Sequence, residues 1–194
     1  MSGEVRIAGV VLAGGLGRRM GGVDKGLRPL RGKPMVQWVL ERFSRQVDEV
    51  MINANQHIEE YSAFGYPVIC DQITGFAGPL AGLHAALSAT SLSLVATVPC
   101  DSPFLPGDLV ARLRSALVQQ KADLAVARTL TQAHPVFCLC RRTVLPHLTA
   151  FLTDGGRKFD QWYETLAAVE VAFDDEIEAF NNINTPEELA RFEG

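Results

Sequence analysis

Residues 5–13, VRIAGVVLA, are nearly all apolar, the pattern of a central parallel strand buried on both faces. Pro34 then opens a stretch in which Met35, Val36, Val39, Leu40 and Phe43 recur at helical spacing. EVMINAN (49–55) and YPVICD (66–71) read as two further strands. GPLAGLHAALSAT (78–90) reads as a helix started by Pro79, with Leu80, Leu83 and Leu87 on one stripe and His84 beside it. A strand at LSLVATVPCD (92–101), a helix over 105–120 and a strand at ADLAVAR (122–128) follow. After residue 128 the rhythm shifts. HPVFCLC (134–140) predicts a strand, residues 141–152 and 157–167 predict helices, and AAVEVAF (167–173) alternates as a half-exposed strand does. TPEELARF predicts a last helix, with Thr185 as N-cap, Pro186 at its first position and Glu188 completing a capping box.

This order predicts an α/β fold: a doubly wound, mostly parallel sheet with helices on both faces and one antiparallel strand. It forms one continuous domain over 1–194, with a first half to residue 130 and a second from 131. Ligands in such sheets bind at the carboxyl ends of the strands. Those ends carry Gly14 and Gly15, Asn53 and Asn55, Asp71, and Asp101.

Of the 194 residues, 47% are hydrophobic and 21% charged, as in globular proteins with a real core. A net charge of −4 argues against a nucleic-acid binder. Charge is uneven, however. Residues 1–33 hold Arg6, Arg18, Arg19, Lys25, Arg28, Arg31 and Lys33 against Glu4 and Asp24, which points to a small anionic ligand. The cysteines, Cys70, Cys100, Cys138 and Cys140, form no C-x-x-C pair and read as buried or half-buried thiols. No signal-peptide pattern and no membrane-length apolar run are present, so the expectation is a cytoplasmic protein without a membrane partner.

The basic third contains VVLAGGLGRRMGGVDKGL (10–27). It fails as a P-loop, because Gly32-Lys33 is followed by Pro34 and position 27 is Leu. It fails as a dinucleotide fingerprint, because Met20 stands where the third glycine belongs. What remains is L-A-G-G-x-G-x-R-M followed by Lys25. Glycines there let successive N–H groups form an anion-binding concavity, and Arg19 and Lys25 add charge suited to a triphosphate.

This loop, with GKPM, NAN (53–55), GPLAG (78–82), VPCDSPFL (98–105) and NINTPEEL (182–189), resembles the molybdenum cofactor guanylyltransferases of bacteria. The likeness runs in order along essentially the whole chain. It implies a Rossmann-like fold of the nucleotide-diphospho-sugar transferase kind. It also implies transfer of GMP from GTP to the terminal phosphate of Mo-molybdopterin, with Mg²⁺ as cofactor and pyrophosphate as the leaving product. Partners implied are GTP, Mo-molybdopterin, and proteins that deliver molybdopterin or mature molybdoenzymes. Lys25, Arg19 and Asp101 are the expected catalytic residues, with Asp101 as metal ligand. Leu12, Ala13, Gly14, Gly15, Lys25, Asn53, Asp71 and Asp101 are expected to bind GTP. Asn182, Asn184, Arg157, Lys158 and His134 are candidates for the pterin side, and residues 1–130 and 131–194 become nucleotide and pterin halves. Guanine presents N1–H and N2–H₂ donors, which a carboxylate, an amide oxygen or backbone carbonyls could select. Two other functions share these features: a related cytidylyl- or sugar-phosphate nucleotidyltransferase, and a molybdopterin carrier without catalysis.

Overall fold

In a computed structural model of the chain, the described residues are 5–13, 24–73, 78–183 and Glu188. In chain order the elements are β1 (Ile7–Leu12), β2 (Pro29–Leu30), β3 (Lys33–Pro34), α1 (Met35–Phe43), β4 (Glu49–Asn53), α2 (Ile58–Ser62) and β5 (Val68–Ile69). They continue with α3 (Pro79–Ala89), β6 (Leu94–Pro99), α4 (Leu109–Gln119), β7 (Leu124–Thr129), β8 (Gln132–Arg141), α5 (Leu145–Thr153), α6 (Phe159–Tyr163) and β9 (Ala168–Ala172). The expected last helix falls outside the described residues apart from Glu188, which is helical.

Among the described residues a seven-stranded sheet runs β5-β4-β1-β6-β8-β7-β9. β8 alone opposes its neighbours, pairing antiparallel with both β6 and β7. β1 is buried along its whole length because it feeds two cores. Ile7 and Val11 face the core built with α1 and α4, while Ala8, Val10 and Leu12 face the one built with α3, α5 and α6. At Gly9 a Cβ would meet the Phe43 ring at 2.6 Å, so the missing side chain is what lets α1 close on the strand.

The chain leaves β1 toward β4 through α1 and returns on the opposite side, through α3, to β6. Strand order therefore reverses at β1, and its carboxyl end opens a crevice between β4 and β6. The Leu12 carbonyl accepts the Cys100 N–H at 3.1 Å and the Ala13 N–H donates to the Asn53 carbonyl at 2.8 Å, which closes both sides of that crevice.

Several expectations shift. The α3 stripe of Leu80, Leu83 and Leu87 packs in one core as expected, but the helix has no polar side to set against it, because every residue from Leu80 to Leu87 is buried between the sheet and α5. The predicted 105–120 and 157–167 helices shorten to α4 and α6. α2 and the β2–β3 hairpin were not anticipated; the latter turns on Arg31 and Gly32, both at positive φ (50° and 81°), as a tight two-residue turn requires. Cys100, Cys138 and Cys140 are buried, and burial pushes the Cys138 thiol up to about 12. Cys70 is instead exposed.

His84 is held in one tautomer. The Thr149 hydroxyl donates to the Leu145 carbonyl at 2.8 Å, so at 3.0 Å from Thr149 Oγ1 the His84 Nε2 is the donor. Nδ1 is then a bare buried nitrogen, and burial lowers the histidine pKa from 6.5. The unfolded chain protonates first as pH falls, so the neutral ring stabilises the fold fully above the ordinary histidine value and loses that contribution in acid. The stability advantage of wild type over His84→Gln should therefore shrink between about pH 8 and about pH 5, measured by urea unfolding.

Candidate active site

At the carboxyl end of β4, Asn53 is 3% exposed and points its amide across to the end of β5. Asn53 Nδ2 donates to Asp71 Oδ1 at 2.9 Å, and Asn55 Nδ2 donates to Asp71 Oδ2 at 2.8 Å. The Asp71 N–H in turn donates to Asn55 Oδ1 at 2.9 Å. Two amides thus fix both carboxylate oxygens and leave each with lone-pair capacity for a further donor. α3 approaches this cluster so closely that a Cβ on Gly82 would overlap the Asn53 side-chain oxygen and stand 2.6 Å from Leu12 Cδ2.

β6 ends at Pro99, and Cys100 carries the chain to Asp101, 7% exposed. Lys25 Nζ reaches Asp101 Oδ2 at 3.4 Å from the segment after the glycine-rich stretch. Burial raises the Asp101 pKa, and the ammonium beside it opposes that rise. Sequence distance between the two is 76 residues; the crevice removes it.

A third arm comes from the C-terminal part of the chain. The Ile183 N–H donates to the Asp101 carbonyl at 2.9 Å, and Ser102 Oγ donates to Asn182 Oδ1 at 2.6 Å. Asn182 therefore sits beside Asp101. The segment is led there by Arg112 of α4, which donates twice to Asp175 at 3.0 Å, once to the Ala172 carbonyl at 2.5 Å, and lies 3.9 Å over the Phe173 ring.

Next to this arm is a cavity of about 800 Å³ whose lining includes Pro99, Thr129, His134, Phe137, Phe180 and Asn182. It opens because β8 parts from β7 there: the pairing shifts from Val126 with Cys138 to Ala127 with His134, and Pro135 lies in the displaced stretch. His134 hydrogen-bonds Thr129 Oγ1 through Nε2 at 2.6 Å and stacks on Phe180 with centroids 5.0 Å apart. Burial lowers its pKa.

The structure thus gathers Leu12, Ala13, Lys25, Asn53, Asp71, Asp101, Asn182 and His134 at one carboxyl edge. Arg157 is otherwise engaged, donating through Nη1 to the Leu152 and Gly156 carbonyls at 2.8 and 2.6 Å, where it caps α5. Lys158 follows it as the N-cap of α6. Gly14, Gly15, Arg19 and Asn184 lie outside the described residues. Sequence reasoning marked Asn55 as a strand-end residue without giving it a role, and assigned none to Gly82, Ser102, Asp24 or Tyr61. A glycine inside an apolar helix was a legible sign for Gly82; Ser102, Asp24 and Tyr61 carry no local signal.

Among the described residues, no group of three or more His, Cys, Asp or Glu side chains could hold a metal ion. One buried carboxylate facing an open crevice instead suits a hard divalent cation that takes its other oxygens from phosphates and water. No helix among the described residues is long and apolar enough to cross a membrane.

Doubly wound topology with a lysine–aspartate pair and an amide-clamped aspartate at the switch point defines a nucleotide-handling α/β transferase. The chain belongs to the MobA-like NTP transferase family, whose domain description matches residues 9–169. It is 49% identical over 188 residues to the molybdenum cofactor guanylyltransferase of Cupriavidus metallidurans, covering 94% of this chain and 92% of that one. It is 47% identical over 187 residues to the protein of the same name from Polynucleobacter asymbioticus, covering 94% of each. In structure it is similar to molybdopterin-guanine dinucleotide biosynthesis protein A from Archaeoglobus fulgidus. The TM-score is 0.81 at 27% identity, covering 96% of both chains.

Gly82→Ala should force Asn53 off Asp71. The expected cost is about 1–3 kcal/mol in denaturant unfolding, as for other overpacked sites, together with weakened nucleotide binding measured by calorimetry.

Proposed function

We propose that this chain transfers GMP from GTP to the terminal phosphate of Mo-molybdopterin, yielding molybdopterin guanine dinucleotide and pyrophosphate. The observation that carries the reading is the Lys25–Asp101 pair at the switch point, with the amide-clamped Asp71 on one side and the cavity on the other. Guanylyltransferase relatives at 47–49% identity support the choice of nucleotide and acceptor.

In this reading an oxygen of the acceptor phosphate attacks the α-phosphorus of GTP. The bond from that phosphorus to the bridging oxygen of the β-phosphate breaks, and its electron pair leaves with pyrophosphate. No protein nucleophile is needed. What limits the reaction is bringing two anions together in line, so the protein's work is alignment and charge neutralisation. Lys25 sits where it can hold its ammonium against phosphate oxygens as charge moves to the leaving group. Arg19 joins it as a second cation on the reading of the sequence. Leu12 and Ala13 offer backbone at the end of β1, Gly14 and Gly15 join them on the reading of the sequence, and Asn53 with Asp71 faces the nucleoside. Both Asp71 oxygens are held in place, which suits paired donation from guanine N1–H and N2–H₂ and gives a cytosine base no equivalent pair of donors.

Asp101 would hold Mg²⁺, the divalent cation whose habit of taking one or two carboxylates plus substrate phosphates fits a site with a single buried carboxylate. When bound, that ion supplies further neutralisation of the phosphates. Residues 1–130 then serve the nucleotide. Residues 131–194 serve the pterin, through His134 and Asn182 at the cavity, with Asn184 a further candidate on the reading of the sequence. Arg157 and Lys158 would reach the acceptor phosphate only if Arg157 released its carbonyls. Proteins that deliver molybdopterin or receive the product are the expected partners.

Replacing Asp101 by Asn, or Lys25 by Ala, should lower turnover by about 10²–10³-fold, the scale for losing one preorganised charge-stabilising group. Because burial disfavours ionised Asp101, the Asn variant should unfold at the same temperature as wild type or higher. Pyrophosphate release with GTP, Mg²⁺ and molybdopterin is the assay; equal rates with CTP would overturn the guanylyl assignment, and wild-type rates in both variants would overturn the roles.

A further inference from the structure

We infer that Tyr61 is a positioning residue for the transfer: gripping Asp24, it fixes the turn that presents Lys25 to Asp101. The inference rests on the catalytic reading of Lys25 above. Tyr61 belongs to α2, an element that neither the nucleotide nor the acceptor side uses, and its side chain is fully buried. Its hydroxyl donates to Asp24 Oδ1 at 2.5 Å, and the same oxygen accepts the Gly26 N–H at 3.0 Å. Residues 24–26 are therefore closed into a turn with Lys25 at its apex. That turn is tied to the core again by the Val36 N–H, which donates to the Gly26 carbonyl at 2.9 Å.

The tyrosine oxygen also packs on the turn itself. A Cβ at residue 26 would lie 2.6 Å from that oxygen and 3.2 Å from Cys100 Sγ. Glycine at 26 thus lets the phenol oxygen and the side chain of Cys100, the residue that precedes Asp101, both pack against the segment that carries Lys25. Its position at this junction is what a merely space-filling aromatic would not require.

The hydroxyl has an electrostatic consequence. Asp24 and Asp101 both act on Tyr61 and Cys100. Tyr61 and Gly26 donate to Asp24 Oδ1, and Lys25 extends to Asp101. Burial, with Cys100 and Asp24 nearby, raises the Tyr61 pKa far above its ordinary value, so the group remains a donor wherever the protein is folded.

The test is single-turnover transfer, at high enzyme concentration, with GTP, Mg²⁺ and molybdopterin, for Tyr61→Phe, Lys25→Gln and the double variant. Tyr61→Phe should slow the chemical step by about 10- to 100-fold, the scale for a small misplacement of a reacting group. The GTP concentration at half-maximal rate should stay within about threefold, because the loss falls on the transition state. In the Lys25→Gln background the same change should slow the step no further, since the group it positions is gone. An equal factor in both backgrounds would make Tyr61 a purely structural residue and overturn the inference, as would a wild-type rate for Tyr61→Phe. A wild-type rate for Lys25→Gln would instead remove the catalytic reading of Lys25. If Tyr61→Phe does not fold, Asp24→Ala cuts the same hydrogen bond from its other end and must show the same pattern.

Discussion

Burial of Asp101 disfavours its ionised form, and the carboxyl edge is built around that buried carboxylate. Lys25 opposes the penalty directly from 3.4 Å. The backbone carbonyl of Asp101 is tied by the Ile183 N–H, and the next residue, Ser102, holds Asn182. An aspartate kept in an environment that works against its charge is a poor contributor to stability, and in the proposed reaction it would serve as ligand to a phosphate-bound cation.

The bracing comes from opposite ends of the chain. β1 supplies the centre, with a core on each face, and cannot shift without disturbing both. Arg112 draws the segment after β9 back across the sheet toward Asp101. Displacement of β8 around Pro135 then leaves room between these supports for an acceptor of substantial size. In the proposed reaction the nucleotide and acceptor sides would meet at the Lys25–Asp101 pair, where a nucleotidyl transfer without a protein nucleophile needs its positive charge.

Sequence patterning accounted for the parallel strands, the buried face of α1 and the polar strand ends. β1 is legible because burial on two faces leaves a continuous apolar run, and α1 because a single buried face leaves a 3.6-residue period. In α3 the same reasoning found the helix and its leucine stripe but not the extent of its burial: a helix covered all round has no polar side to mark its period. The β2–β3 hairpin and α2 are too short for periodicity to register.

What the sequence determined by itself was local: where strands stop, which side chains stand at those stops, and that glycines and cations crowd the first of them. These follow from steric freedom and hydrophobic period, which are properties of neighbouring residues. Tertiary structure decided the pairings. Asp71 is clamped by two asparagines at the end of β4 and just past it, Lys25 meets Asp101, Tyr61 grips Asp24, and Asn182 is carried to Ser102. Such contacts depend on strand order and on which face each crossover takes, and no short stretch of sequence encodes either.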